Sequence, residues 1–96
     1  MAVMLTNAFK TSEGNGDKLE ELMKSWVESV LQNPACSSMI IGRDPENSDK
    51  VWAFEVWDSK QTHEKFVQEM IADGGMDSPE MAIVDGMPES VYYQIV

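Results

Sequence analysis

Between Val51 and Phe66 the chain reads VWAFEVWDSKQTHEKF. Its first seven residues are apolar at every position except Glu55, and a short run of that kind predicts a strand covered on both faces. Val51, Ala53 and Trp57 fall on one face of such a strand, and Trp52, Phe54 and Val56 on the other. Ser59 then supplies a helix N-cap. His63, Phe66, Val67, Met70 and Ile71 follow at helical spacing, and Gly74-Gly75 stops the helix. A strand that runs directly into an amphipathic helix is one half of a fold.

The preceding residues supply the other half. Val3, Leu5, Asn7 and Phe9 alternate with Met4, Thr6 and Ala8, the period of a strand in which Asn7 is the polar exception. SEGNG turns the chain, and Asp17 with Glu20 three residues later reads as a capping pair opening a helix. Leu19, Leu22, Met23, Trp26, Val27, Val30 and Leu31 give that helix a continuous apolar stripe. Asn33-Pro34 ends it. Cys36 to Gly42 reads as a second strand, with DPENSDK as the hairpin loop to the third. Beyond the second helix, MDSPEMAIVDGMPES is a long connection in which Ser78-Pro79 suits the start of a short helical turn, and Val91 to Val96 closes the chain as a strand.

The order strand, helix, strand, strand, helix, strand predicts an α+β protein. It is a ferredoxin-like split βαβ protomer, a single domain over residues 1–96, with a four-stranded antiparallel sheet and two helices on one face. The second sheet face is also apolar, and no element is left to cover it. A symmetric homodimer joined sheet to sheet is the economical solution.

Charge narrows the partners. Seven basic against 17 acidic side chains leave a net charge of −10, a field that repels phosphate backbones and anionic membrane surfaces, so neither nucleic acid nor membrane is expected. Cys36 is the only cysteine, which precludes an internal disulfide and suits a reducing cytoplasm. The apolar run in MAVMLTNAFK is too short for a signal segment or a membrane span, and a cytoplasmic protein is the expectation. No His, Cys or carboxylate group has metal-ligand spacing, and GNG and DGG lack the strand-to-helix setting of a phosphate loop.

Glu55, Trp57, Asp58 and Ser59, standing after a hairpin and before an amphipathic helix, together with Asn7 on the first strand, resemble the antibiotic biosynthesis monooxygenase family. The resemblance runs over nearly the whole chain. It implies a dimeric α+β barrel with a pocket between sheet and helices in each protomer. It also implies two chemistries, oxygenation of phenols, anthrones or quinols without cofactor, or haem degradation. The haem-degrading branch pairs its first-strand Asn with a Trp midway along the second helix and a haem-ligating His further on. Here those positions fall on Phe66 and near Gly75-Met76, which disfavours haem. Many quinol-oxidising relatives carry His where this chain has Phe66, and His63 stands one turn earlier.

Oxygenation without a cofactor needs a base to form an electron-rich phenolate, a polar group to hold the reacting oxygen and an apolar, water-excluding pocket. His63 is the candidate base and Asn7 the candidate donor. Trp26, Trp57 and Phe66 are the candidate aromatic walls, with Tyr92 or Tyr93 adding a hydroxyl. No metal or other cofactor is expected, and the partner is a small aromatic molecule. Each residue also has a plainer reading. His63 sits at the edge of an apolar stripe, partly solvated, and Trp26 and Trp57 are core residues. Glu55 makes a dimer-interface or cross-strand pair with Lys50, Arg43 or Lys10, and the eight methionines fill gaps. The alternative function is a non-catalytic, ligand-binding or stress-associated dimer of the same fold.

Overall fold

The computed structural model describes residues 2–75 and 79–96. Its elements are β1 (Val3–Lys10), α1 (Gly16–Leu31), β2 (Cys36–Arg43), β3 (Lys50–Trp57), α2 (Lys60–Ala72), a 3-10 turn (Pro79–Ile83) and β4 (Glu89–Gln94). The strands form one antiparallel sheet in the order β2-β3-β1-β4. This is the ferredoxin-like arrangement expected from the sequence. Of the turn expected at Ser78-Pro79, Ser78 lies outside the described residues, and the 3-10 turn occupies the positions from Pro79 onward.

Strand parity sorts the side chains. Leu5, Val51, Ala53, Trp57 and Met39 face the helices and are buried with Leu19, Met23 and Val30 of α1. At about 1.5–3 kcal/mol for each large apolar side chain removed from water, this layer is the main source of stability. The opposite face carries Met4, Ile40, Phe54, Val91 and Tyr93, all exposed, with Ile40 at 63% and Tyr93 at 47%. The sheet is therefore apolar on both sides but covered on only one.

The two helices begin differently. Ser59 caps α2 as expected: its hydroxyl accepts from Thr62 N–H at 3.1 Å, and the Thr62 hydroxyl accepts from Ser59 N–H at 3.2 Å, a reciprocal cap worth about 1 kcal/mol. Helix α1 departs from the sequence reading. It starts at Gly16 after an Asn15 N-cap that makes no side-chain cap bond. Asp17 and Glu20 instead bind Arg43 of β2, at 3.0 and 3.3 Å. The cap comes from the β2–β3 loop, where the Asp49 carboxylate accepts from Gly14 N–H and from Gly16 N–H at 3.1 Å. A carboxylate at a helix N-terminus also meets the positive end of the backbone dipole.

Strand β4 starts two residues earlier than Val91 and ends at Gln94. The shift arises because pairing with β1 runs from Val3–Gln94 to Ala8–Glu89, which draws Glu89 and Ser90 into the ladder. Just before it, Val84 bridges to Thr11 and Asp85 N–H donates to the Lys10 carbonyl. These contacts fix the connection beside the end of β1, at one end of the space between sheet and helices.

Candidate functional site

Three adjacent strands build a buried polar line. Asn7 is on β1, which lies between β3 and β4, so its side chain has neighbours on both sides. Its Oδ1 accepts from the Ser90 hydroxyl of β4, its direct register partner. Its Nδ2 donates to Glu55 Oε2 of β3 at 2.8 Å, and Trp57 Nε1 donates to Glu55 Oε1 at 3.0 Å. Both Glu55 oxygens therefore accept, the arrangement that suits a carboxylate. Asn7 and Glu55 are 8% and 4% exposed, and among the described residues no buried side-chain nitrogen or oxygen lacks a partner.

This corrects the reading of Glu55. None of the three expected cations reaches it. Lys10 and Lys50 pair with Glu89, and Arg43 pairs with Asp17 and Glu20. Glu55 shares the parity of Val51, Ala53 and Trp57, and so points under the helices, where Asn7 and Trp57 are the donors within reach.

His63 stands on the buried face of α2. At 6% exposure it is enclosed and not partly solvated, because β4 brings Tyr92 against it. His63 Nδ1 and the Tyr92 hydroxyl are 2.6 Å apart, with ring centroids at 5.5 Å. Trp57 meets the imidazole edge-on at 5.2 Å and lies tilted against the Phe66 ring at 5.3 Å. Nε2 has no hydrogen-bond partner among the described residues, and His63 is one of the residues that line the space between sheet and helices. Burial lowers the His63 pKa from its ordinary 6.5, a shift that the nearby charges of Glu55 and Glu64 oppose. Burial raises the Tyr92 pKa, with Glu64 and Glu55 adding to the rise, so its phenol stays protonated.

The space itself is a cavity of about 900 Å³ between the sheet and the two helices. Asn7, Glu55, Ser90 and Tyr92 come to it from the sheet, and His63 and Phe66 from α2. From α1 comes Trp26, packed edge-on against Phe9 at 5.5 Å. Its volume is ample for a flat molecule of several fused rings.

The structure thus gathers five of the seven residues picked from the sequence: Asn7, His63, Trp26, Phe66 and Tyr92. Trp57 is fully buried behind His63 and Phe66 and does not line the cavity. Tyr93 projects from the opposite face of the sheet, since adjacent strand residues point to opposite sides. Glu55 and Ser90 join the site without having been assigned to it. Parity along β3 signals the first, whereas the second depends on the register of β4. Cys36 is buried at 4% exposure outside the cavity, and burial raises its thiol pKa, which argues against a nucleophile.

Known proteins match this arrangement of elements. Among solved structures, a Bordetella bronchiseptica protein assigned to the antibiotic biosynthesis monooxygenases aligns with a TM-score of 0.83. It is 10% identical, with 99% of this chain and 97% of that one covered. A variant of SnoaB, a cofactor-independent oxygenase from Streptomyces nogalater, aligns at 0.72 with 14% identity over 98% and 92% of the two chains. A variant of MhuD with two manganese protoporphyrin IX molecules bound per active site aligns at 0.75 with 18% identity over 98% and 94%. At such identities the likeness is one of fold. No curated protein matches by sequence. Residues 2–70 match the family model for antibiotic biosynthesis monooxygenase, a span that holds the first three strands, α1 and most of α2. The chain belongs to the antibiotic biosynthesis monooxygenase family.

Proposed function

We propose that the protein is a cofactor-independent oxygenase of a small aromatic substrate of the quinol or anthrone kind. One observation carries this reading: a buried imidazole lines an aromatic-walled cavity while Tyr92 engages its Nδ1, which leaves Nε2 as the ring nitrogen free to act. With Nδ1–H donated to the Tyr92 hydroxyl, Nε2 holds a lone pair, and a phenolic substrate passes its proton there. The resulting imidazolium lies near the Glu55 carboxylate, which favours the charge pair. Asn7 has one Nδ2 hydrogen committed to Glu55; the other is the donor for the oxygenated intermediate. Phe66 and Trp26 hold the rings and keep out water. The test is oxygen uptake with a panel of quinols and anthrones in metal-free buffer. Uptake that depends on His63 is expected, and no uptake with any of them favours a non-catalytic binding protein.

Haem suits this cavity poorly. Its propionates call for cations, and none of the seven Lys and Arg side chains lines the space. The MhuD variant shows that this fold can enclose a porphyrin, so a tight Soret shift on haem titration would overturn this part of the reading.

We further propose a homodimer closed through the exposed sheet face, with residues 1–96 as a single domain acting in the cytoplasm. No helix of the described residues is long and apolar enough to cross a membrane. Met4, Ile40, Phe54, Val91 and Tyr93 are large apolar side chains exposed together on one sheet face, the kind of surface that marks an association site. Sedimentation is expected to show a dimer, and Phe54→Glu, which places a charge in the centre of that surface, is expected to give monomer. A wild-type chain that stays monomeric at all concentrations refutes the dimer.

A further inference from the structure

The charges around the cavity are of one sign. Glu55 is buried in its floor, and the solvent-exposed Glu64, Glu69, Asp73 and Glu80 also line it, while no Lys or Arg does. Glu64 and Glu69 have exposed partners, Lys60 at 3.7 Å and Lys65 at 4.0 Å, so their fields are partly offset. Glu55, Asp73 and Glu80 have no cation within ion-pair distance among the described residues. Glu55 is the most consequential of the three. It is 4% exposed and accepts two N–H donors, yet a carboxylate has about four acceptor positions. Its remaining capacity lies beside a cavity that His63 also lines. Low-dielectric walls focus such a field and strengthen its effect on anything bound inside.

From this we infer that the cavity selects a flat aromatic ligand bearing a positive charge, such as a protonated amine, over the same scaffold bearing a carboxylate. A ligand ammonium supplies the counter-charge that no side chain provides to Glu55, Asp73 and Glu80. A ligand carboxylate is repelled by all three. An uncharged ring system lies between. The inference names the substrate class for the proposed oxygenase site and rests on that site being the binding cavity.

Three anthracenes that differ only at the 9-substituent provide the test: aminomethyl, hydroxymethyl and carboxylate. Binding to the intact protein is measured by quenching of tryptophan fluorescence, Trp26 being in the wall. The aminomethyl compound is expected to bind at least about tenfold tighter than the carboxylate, with the alcohol between them. The ratio is expected to fall about threefold in the double variant Asp73→Asn, Glu80→Gln, and to shrink further near 1 M salt, where the Debye length is about 3 Å. Equal or tighter binding of the carboxylate overturns the inference, as does binding of none of the three. A ratio unchanged in both the double variant and high salt overturns its electrostatic basis. Because the readout is equilibrium binding, the expected ranking without oxygen uptake on anthrones leaves this inference standing and removes the oxygenase. Turnover combined with a preference for the anion does the reverse.

Discussion

Replacing His63 with alanine is expected to lower the rate of oxygen uptake by roughly 10²- to 10⁴-fold, the usual contribution of a positioned general base. The side chain is the one imidazole of the chain and the group at the cavity best suited to accept a proton near neutrality. His63→Gln separates chemistry from packing, since it keeps a polar atom near Tyr92 but offers no base. It is expected to be nearly as inactive as the alanine variant while binding the aromatic ligand. Acidity gives a second readout. Burial holds the imidazole below its ordinary pKa of 6.5, so the neutral, proton-accepting form predominates at pH 7 and activity falls off only below about 6.5. The same shift links to stability. The unfolded chain takes up the proton first on acidification, so the stability contributed by neutral His63 is fully present above about pH 6.5. It is lost as the pH falls from there through the lowered folded-state pKa. Full activity in His63→Gln with an unchanged acid limb removes His63 from the mechanism.

Glu55→Ala is expected to cost about 2–5 kcal/mol of folding stability, read from the urea midpoint at constant slope. The substitution strands two buried donors, Asn7 Nδ2 and Trp57 Nε1, each costing about 1–3 kcal/mol when unsatisfied, and leaves a hole in the layer between sheet and helix. Trp57 is fully buried and cannot turn its indole to solvent without giving up its contacts with His63 and Phe66. Glu55→Gln is the milder partner. Its amide supplies one acceptor and sets an N–H₂ against the other donor, for a loss of about 1–3 kcal/mol. A change below about 0.5 kcal/mol in Glu55→Ala would mean that both donors find solvent or new partners.

These two residues also show how far the sequence could be read. The element order was legible because each element carries its own period: α1 has a continuous stripe, β3 an apolar run, and α2 a cap whose donor and acceptor are three residues apart. Local features of this kind are written within one turn of chain. The cap of α1 was not legible, since Asp49 stands 33 residues from Gly16 and only the folded topology brings them together. Glu55 was misread because opposite charges nearby in strand order suggested ion pairs, whereas its parity places it under the helices. Tyr92 and Tyr93 are adjacent, so composition gave no choice between them; pairing of Leu5 with Tyr92 decides it. Ser90, Tyr92, Glu80 and Met81 all line the cavity from beyond residue 70, where the family match ends. This part of the wall lies outside the span that matches the family.

The meeting of Asp49 with the start of α1 has one more consequence. A side chain at position 16 would place its Cβ 1.9 Å from the Ser48 carbonyl oxygen, well inside the reach of backbone atoms, so glycine there lets the hairpin tip close onto the helix. A hairpin tip is ordinarily the place where a lineage adds or drops residues freely. Here it is a strut: lengthening it withdraws the carboxylate from the helix end, and filling position 16 pushes the tip away. Turn and hairpin are thus bound to change together, a paired constraint on two segments far apart in the chain.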